Sequence, residues 1–315
     1  MSFIRDKELK KRFQNKVATG RLTFSFTVIY AVTVLLISGF LSKEHWIQII
    51  LLALSTLLMV ALNNKNSLIR GFCRLVSCSF LAFTLMIPQL MESISGGIVQ
   101  VLFITTLLLL FSAYQDRWAM GTILYAFICI GLISTQFIQI IFFLPLLWIT
   151  MFTNLQEGSL RTLVASLLGF ILPYWFWGTY SLLNGTYDVL ICHVTGITAF
   201  DPLFEGLATP TLLVPIIFIT LLGIAGIAHF LRYSYADSIK TRMFFNVLML
   251  LFFSSIIFLV LQPQHSDFLV RIAIICVAPF VAHFFTFTNS WMTNILFYVA
   301  LAVTLTLTIL NTWIL

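Results

Sequence analysis

Two stretches near the start of the chain, residues 22–41 and 47–62, contain no Asp, Glu, Lys or Arg at all. Runs of this length and character match the hydrocarbon core of a bilayer, about 30 Å thick and spanned by about 20 helical residues. They constrain the fold more than anything else in the sequence. Composition extends the argument to the whole chain: 60% of its residues are hydrophobic and only 9% charged, against about 25% charged in a soluble domain.

Apolar runs between polar breaks predict helices near 22–41, 46–62, 71–91, 98–113, 119–134, 137–152, 163–183, 211–231, 243–261, 267–286 and 291–313. The expected fold is therefore an all-α integral membrane protein, a bundle of about 11 transmembrane helices. The domain plan is a basic leader, 1–21, followed by one helical domain, 22–315, with a longer loop at 184–210. Residues 119–152 read as two short spans or as a re-entrant hairpin. The leader is too long, and lacks the small-residue cleavage pattern, for a removable signal peptide, so the first span reads as a retained anchor.

Basic residues segregate between alternate breaks. With the N-terminus inside, the leader holds Arg5, Lys7, Lys10, Lys11, Arg12, Lys16 and Arg21, and later inside segments hold Lys65, Arg70, Arg74, Arg117, Arg161, Arg232, Lys240 and Arg242. Fifteen of the 17 basic residues then face one compartment, leaving Lys43 outside and Arg271 at the edge of a span. Positive charge is retained on the cytoplasmic side, so the N-terminus is expected in the cytoplasm and the C-terminus outside. Leu9, Phe13 and Val17 give the leader a narrow apolar stripe among cations, suited to an anionic leaflet. A nucleic-acid role is excluded, because no folded basic domain is present to carry it. The five cysteines lack paired spacing, and no His/Cys/Glu pattern suggests a metal. No cofactor is expected.

The external side collects the remaining chemistry. It carries the carboxylates Glu44, Glu92, Asp188, Asp201, Glu205 and Asp267. Asp267 and Arg271 are four residues apart and share a helical face, a spacing at which opposite charges pair. An arginine at the hydrocarbon edge either snorkels, finds a partner or serves function, and a guanidinium is well matched to phosphate. Asp188, Asp201, Glu205 and Glu44 are thus the catalytic candidates, with Arg271, Asp267 and nearby His265 as candidates for holding an anionic, lipid-linked substrate. Gln136, Gln139 and Asn246 are candidates for a polar path, and Pro145, Pro173 and Pro279 are expected to kink three spans. Ala165 and Gly169 make a small-xxx-small helix contact.

Residues 63–66 (Asn-Asn-Lys-Asn), 142–148 (Phe-Phe-Leu-Pro-Leu-Leu-Trp) and 161–174 (Arg-Thr-Leu-Val-Ala-Ser-Leu-Leu-Gly-Phe-Ile-Leu-Pro-Tyr) resemble a family of polytopic Bacteroidota inner-membrane proteins without a settled activity. The segment from Asp267 to Arg271, leading to Pro279, is similar too. This resemblance implies the inner membrane of a bacterium as the compartment. Residues 169–173 also resemble a helix of multispan polyprenyl-phosphate-sugar glycosyltransferases, whose acidic catalytic residues lie in a long first external loop. Here that loop is residues 42–45, with Glu44 as its acid.

Three functional readings follow: a non-enzymatic component of an envelope assembly, an enzyme acting on a polyprenyl-phosphate-linked substrate at the external face, and a transporter or flippase. The expected partners are membrane lipids, including a lipid-linked phosphate, and other membrane proteins.

Overall fold

The computed structural model describes residues 12–40, 45–198 and 210–314. Among the described residues every regular element is helical. That outcome follows from the apolar runs, because backbone groups in hydrocarbon must find their partners within the segment. A short helix α1 (Phe13–Thr19) turns through 89° into α2 (Thr23–Ile37). Next come α3 (Trp46–Asn66) and α4 (Leu75–Leu85), the latter followed by a 3-10 turn at Pro88–Met91. Ser93 opens α5 (Ile94–Ser112) by accepting the Gly96 N–H at its hydroxyl, satisfying one donor that a helix start leaves unpaired.

The middle of the chain holds α6 (Met120–Gln136) and α7 (Leu144–Thr153), joined through a 3-10 stretch at Ile138–Phe143. Beyond it lies α8 (Leu160–Leu183), entered through a capping box of Ser159 and Thr162. The small helix α9 (Tyr187–Thr195) follows, then α10 (Pro210–Tyr233), α11 (Ile239–Leu261), α12 (Ser266–Phe287) and α13 (Trp291–Ile314).

Among the described residues seven helices, α3, α5, α8, α10, α11, α12 and α13, are long and apolar enough to cross a membrane, and the bent α1–α2 pair makes an eighth if it is one span. Each of the remaining three apolar segments read from the sequence also folds as helix, but α4, α6 and the stretch Ile138–Thr153 are shorter. Proline explains part of the difference. Pro88 and Pro145 each lie in the first turn of a new element instead of kinking a longer one, the position where a missing N–H costs nothing. Pro173 and Pro279 do lie inside α8 and α12.

The expected open loop at 184–210 is partly helix. Its residues Tyr187–Thr195 form α9, which packs on α8 and is tied to the end of α6 by His193, whose Nε2 lies 2.9 Å from the Ser134 carbonyl oxygen.

The core centres on α12. Within its most apolar stretch 89% of residues are buried, against 17% for α13. It packs on α4, α10 and α11. The most extensive helix–helix contact is between α6 and α8, where a side chain on Gly169 would meet the Leu124 carbonyl oxygen at 2.5 Å and one on Gly131 the Phe170 oxygen at 2.6 Å. The small residue expected to make a helix contact at 169 thus does so, letting two backbones approach.

Contacts sort the connections to two opposite sides. On one side α1 meets the α12–α13 turn, and the Arg74 N–H donates to the Ala18 carbonyl. On the other, the start of α12 meets the end of α4, and Asn311 near the end of α13 donates to Met86 and Thr211 carbonyls. Docking of α1 is polar. Gln14, fully buried, donates from Nε2 to Thr288 and Thr293, and Asn15 donates to the Thr286 and Thr288 carbonyls. The apolar stripe expected at Phe13 and Val17 is the less buried face, with Phe13 stacked on Tyr298 at 5.0 Å. Leu9 lies outside the described residues.

Candidate functional site

Arg271 lies one turn into α12, 3% exposed, and every nitrogen of its guanidinium has an acceptor. Nε donates to Asp267 Oδ1 at 3.0 Å, Nη1 donates to Gln100 Oε1 at 3.0 Å, and Nη2 donates to the Leu90 carbonyl. Gln100 in turn donates from Nε2 to Ser55 Oγ at 2.8 Å, and Ser55 passes its own proton to the Leu52 carbonyl at 2.9 Å. One buried polar chain therefore joins α12, the 3-10 turn after α4, α5 and α3. A cation removed from water is tolerated when its partners are this complete.

The close approach depends on a glycine. A side chain on Gly96 would lie 2.6 Å from Arg271 Nε and 2.7 Å from Nη2, and against Asp267 Oδ2. The Asp267 carboxylate is thereby held against the first turn of α5, where the unpaired N–H groups and the helix dipole favour negative charge.

Asp267 is partly exposed and lines a cavity of about 470 Å³ with Gln89, Glu92, Ser93, Ser266 and Phe268. Of the candidates, the structure brings together Asp267 and Arg271 and places His265 just before them, its ring 4.9 Å from Phe137. Asp188 stands elsewhere, exposed in the first turn of α9 and outside that cavity. Glu44, Asp201 and Glu205 lie outside the described residues. The polar path does not assemble around Arg271: Gln136 is exposed, Gln139 donates to the Gly196 carbonyl at 3.2 Å, and Asn246 is half-buried on α11. Among the described residues no cluster of three His, Cys, Asp or Glu side chains is placed to hold a metal ion.

Two buried arrangements were not foreseen from the sequence, although His229 and His283 read there as lying near the cytoplasmic ends of their spans. The first is at the other end of α12, where His283 Nε2 lies 2.9 Å from Asp237 Oδ2, while the His229 ring stands 5.5 Å from that of His283. These three residues come from α10, the α10–α11 turn and α12, and the sequence separation of 46 between Asp237 and His283 leaves no local spacing to read.

The second is Glu157, in the turn between α7 and α8. It is fully buried, and among the described residues neither carboxylate oxygen has a hydrogen-bond partner. Burial, with the nearby Asp116 charge adding to it, pushes its carboxyl up to about 8. A single acid between two apolar runs gave no sign that it would turn inward.

Comparison with family models, with curated proteins and with solved structures finds no match.

Proposed function

We propose that the chain is a multi-pass protein of a bacterial inner membrane, N-terminus cytoplasmic and C-terminus external, serving as a non-enzymatic component of an envelope assembly. The observation that carries this reading is the closure of Arg271. Each nitrogen that would hold a substrate phosphate is already bound by protein, so the one buried Lys or Arg among the described residues acts as a tie between four chain segments.

The orientation rests on charge. Read with alternating crossings, every described basic residue except Arg271 falls on the leader side, which the retention of Lys and Arg assigns to the cytoplasm. Eleven crossings rest on rise per residue. A 3-10 stretch rises about 2.0 Å per residue and an α-helix about 1.5 Å, so Ile138–Thr153 reaches about 27 Å and α6 about 25 Å, which modest bilayer thinning accommodates, while α4 reaches only about 16 Å and needs the Pro88–Met91 turn, about 8 Å more, to make a crossing. Kinship with Bacteroidota inner-membrane proteins rests on the motifs at 63–66, 142–148 and 161–174.

Deletion of the protein tests the reading. The expected result is loss of co-purifying envelope proteins with no build-up of a lipid-linked intermediate. Accumulation of a lipid-linked phosphate, reversed by the native chain but not by Asp188→Asn, Asp201→Asn, Glu205→Gln or Glu44→Gln forms present at normal level, would instead establish the enzyme reading.

A further inference from the structure

Where α2, α4, α12 and α13 come together, a cleft of about 660 Å³ opens on the flank of the bundle. Its walls are hydrocarbon and aromatic, with Phe26, Phe83, Phe285, Phe297 and Leu301 prominent. The hydroxyls along it are already spent. Thr27 donates to the Phe24 carbonyl at 2.8 Å, Ser79 to Leu75 at 2.7 Å and Thr304 to Ala300 at 2.8 Å, while Tyr30 is paired with Thr308 at 2.6 Å. A polar occupant would leave its own groups unpaired there, whereas a hydrocarbon chain loses nothing.

The mouth has the opposite character. Lys16 on α1 and Arg21 in the bend before α2 both line the cleft and are exposed, and neither forms an ion pair among the described residues. The 89° bend lays α1 across the start of α2, and the buried Gln14 and Asn15 bonds fix it to the α12–α13 turn. The cations are thus carried by a docked element. Depth also fits: Phe297 and Leu305 on α13 are eight residues apart, about 12 Å of helix, close to the hydrocarbon half-thickness of about 15 Å.

We propose that this cleft is a binding site for an anionic glycerophospholipid of the leader-side leaflet, one acyl chain in the cleft and the phosphate between Lys16 and Arg21. The site stands whether or not the bundle is a scaffold, because it draws on α1, α2 and α13 and on nothing at the Arg271 end. Basic side chains at the headgroup level attract anionic lipid, and the apolar groove adds chain burial that a flat basic surface lacks.

The test is native mass spectrometry of the full chain in mild detergent, titrated with phosphatidylglycerol or phosphatidylethanolamine of the same acyl chains. One phosphatidylglycerol is expected to bind preferentially. The Lys16→Ala/Arg21→Ala variant is expected to weaken it about thirty-fold, and Ala82→Phe, which fills the cleft from α4 and leaves both cations in place, to displace it. If Ala82→Phe shifts the thermal transition of the protein, Ala82→Leu makes the same test with a smaller side chain. Four results would overturn the proposal: equal binding of the two lipids, unchanged binding in either variant, displacement of phosphatidylglycerol by a polyprenyl phosphate, or a lipid-free dimer whose contact occupies the cleft.

Discussion

Arg271 and Glu157 are both buried ionisable groups, placed at opposite sides of the bundle, and they have opposite fates. Arg271 meets a carboxylate, a side-chain amide and a backbone carbonyl, so its charge is kept and used to join four segments. Glu157 meets no donor at either oxygen, so its carboxyl is driven toward the neutral form. Burial alone does not decide what a charged residue does in a membrane bundle. The supply of partners decides it, and that supply comes from other helices.

The sharpest way to break this contrast is to remove the cation. Arg271→Ala leaves Asp267 and Gln100 facing an unfilled space and is expected to cost about 3–5 kcal/mol, the usual penalty for breaking a buried pair, read as lost abundance and a lower thermal transition in detergent. Swapping the two charges, Asp267→Arg with Arg271→Asp, is expected to restore only part of this. The new cation would lie against the first turn of α5, where the helix dipole opposes it. Full loss in the swap equal to that of Arg271→Ala would show that the pair contributes nothing beyond the Gln100 and Leu90 bonds.

At Glu157 the expected effect depends on pH and reaches a similar size only above about pH 8. Its folded carboxyl titrates at about 8 against an ordinary value of 4.5, so the neutral acid is compatible with the fold and the carboxylate is not. Stability is therefore fully present below about pH 4.5 and declines as pH rises through about 8, by roughly 5 kcal/mol at most. Glu157→Gln is expected to flatten that dependence, and thermal melts between pH 5 and 9 measure it. An unchanged slope in the variant would mean that Glu157 has found a cation or water.

Gly96→Ala sharpens the comparison further, since it adds one methyl group against the Asp267–Arg271 pair. The expected cost is about 1–3 kcal/mol, as for other additions to a packed interior, and a neutral result would show that the pair has room to shift. Smallest of all is Asp188→Asn. An exposed residue on α9 is expected to change stability by less than about 0.5 kcal/mol; a large loss would reveal a partner for α9.

Much of the bundle is legible from hydropathy and charge. Most breaks between apolar runs coincide with the described helix ends to within a few residues, α4 being shorter than its run at 71–91 and α9 lying in the expected loop, and the i, i+4 spacing of Asp267 and Arg271 reads directly as an ion pair because a helix puts both on one face. The rest of that site was not legible. Gln100 and the Leu90 carbonyl come from segments over 170 residues away, and nothing local marks Gln100 as different from Gln136 or Gln139. The leader shows the same limit: its cations were plain, but its docking through Gln14 and Asn15 depends on carbonyls and hydroxyls at the far end of the chain.

The sequence by itself determined that the chain is helical, that several of its helices are long and apolar enough to cross a membrane, and roughly where those helices run. Only the tertiary structure decided which helix is central, which charges are answered and where a cleft remains. The reason is physical. Lipid tails are as apolar as leucine side chains, so α12 and α13 have nearly equal mean hydropathy while one is enclosed by protein and the other is left largely to the bilayer. Hydropathy measures transfer out of water, and in a membrane bundle the choice between neighbour and lipid is made by packing.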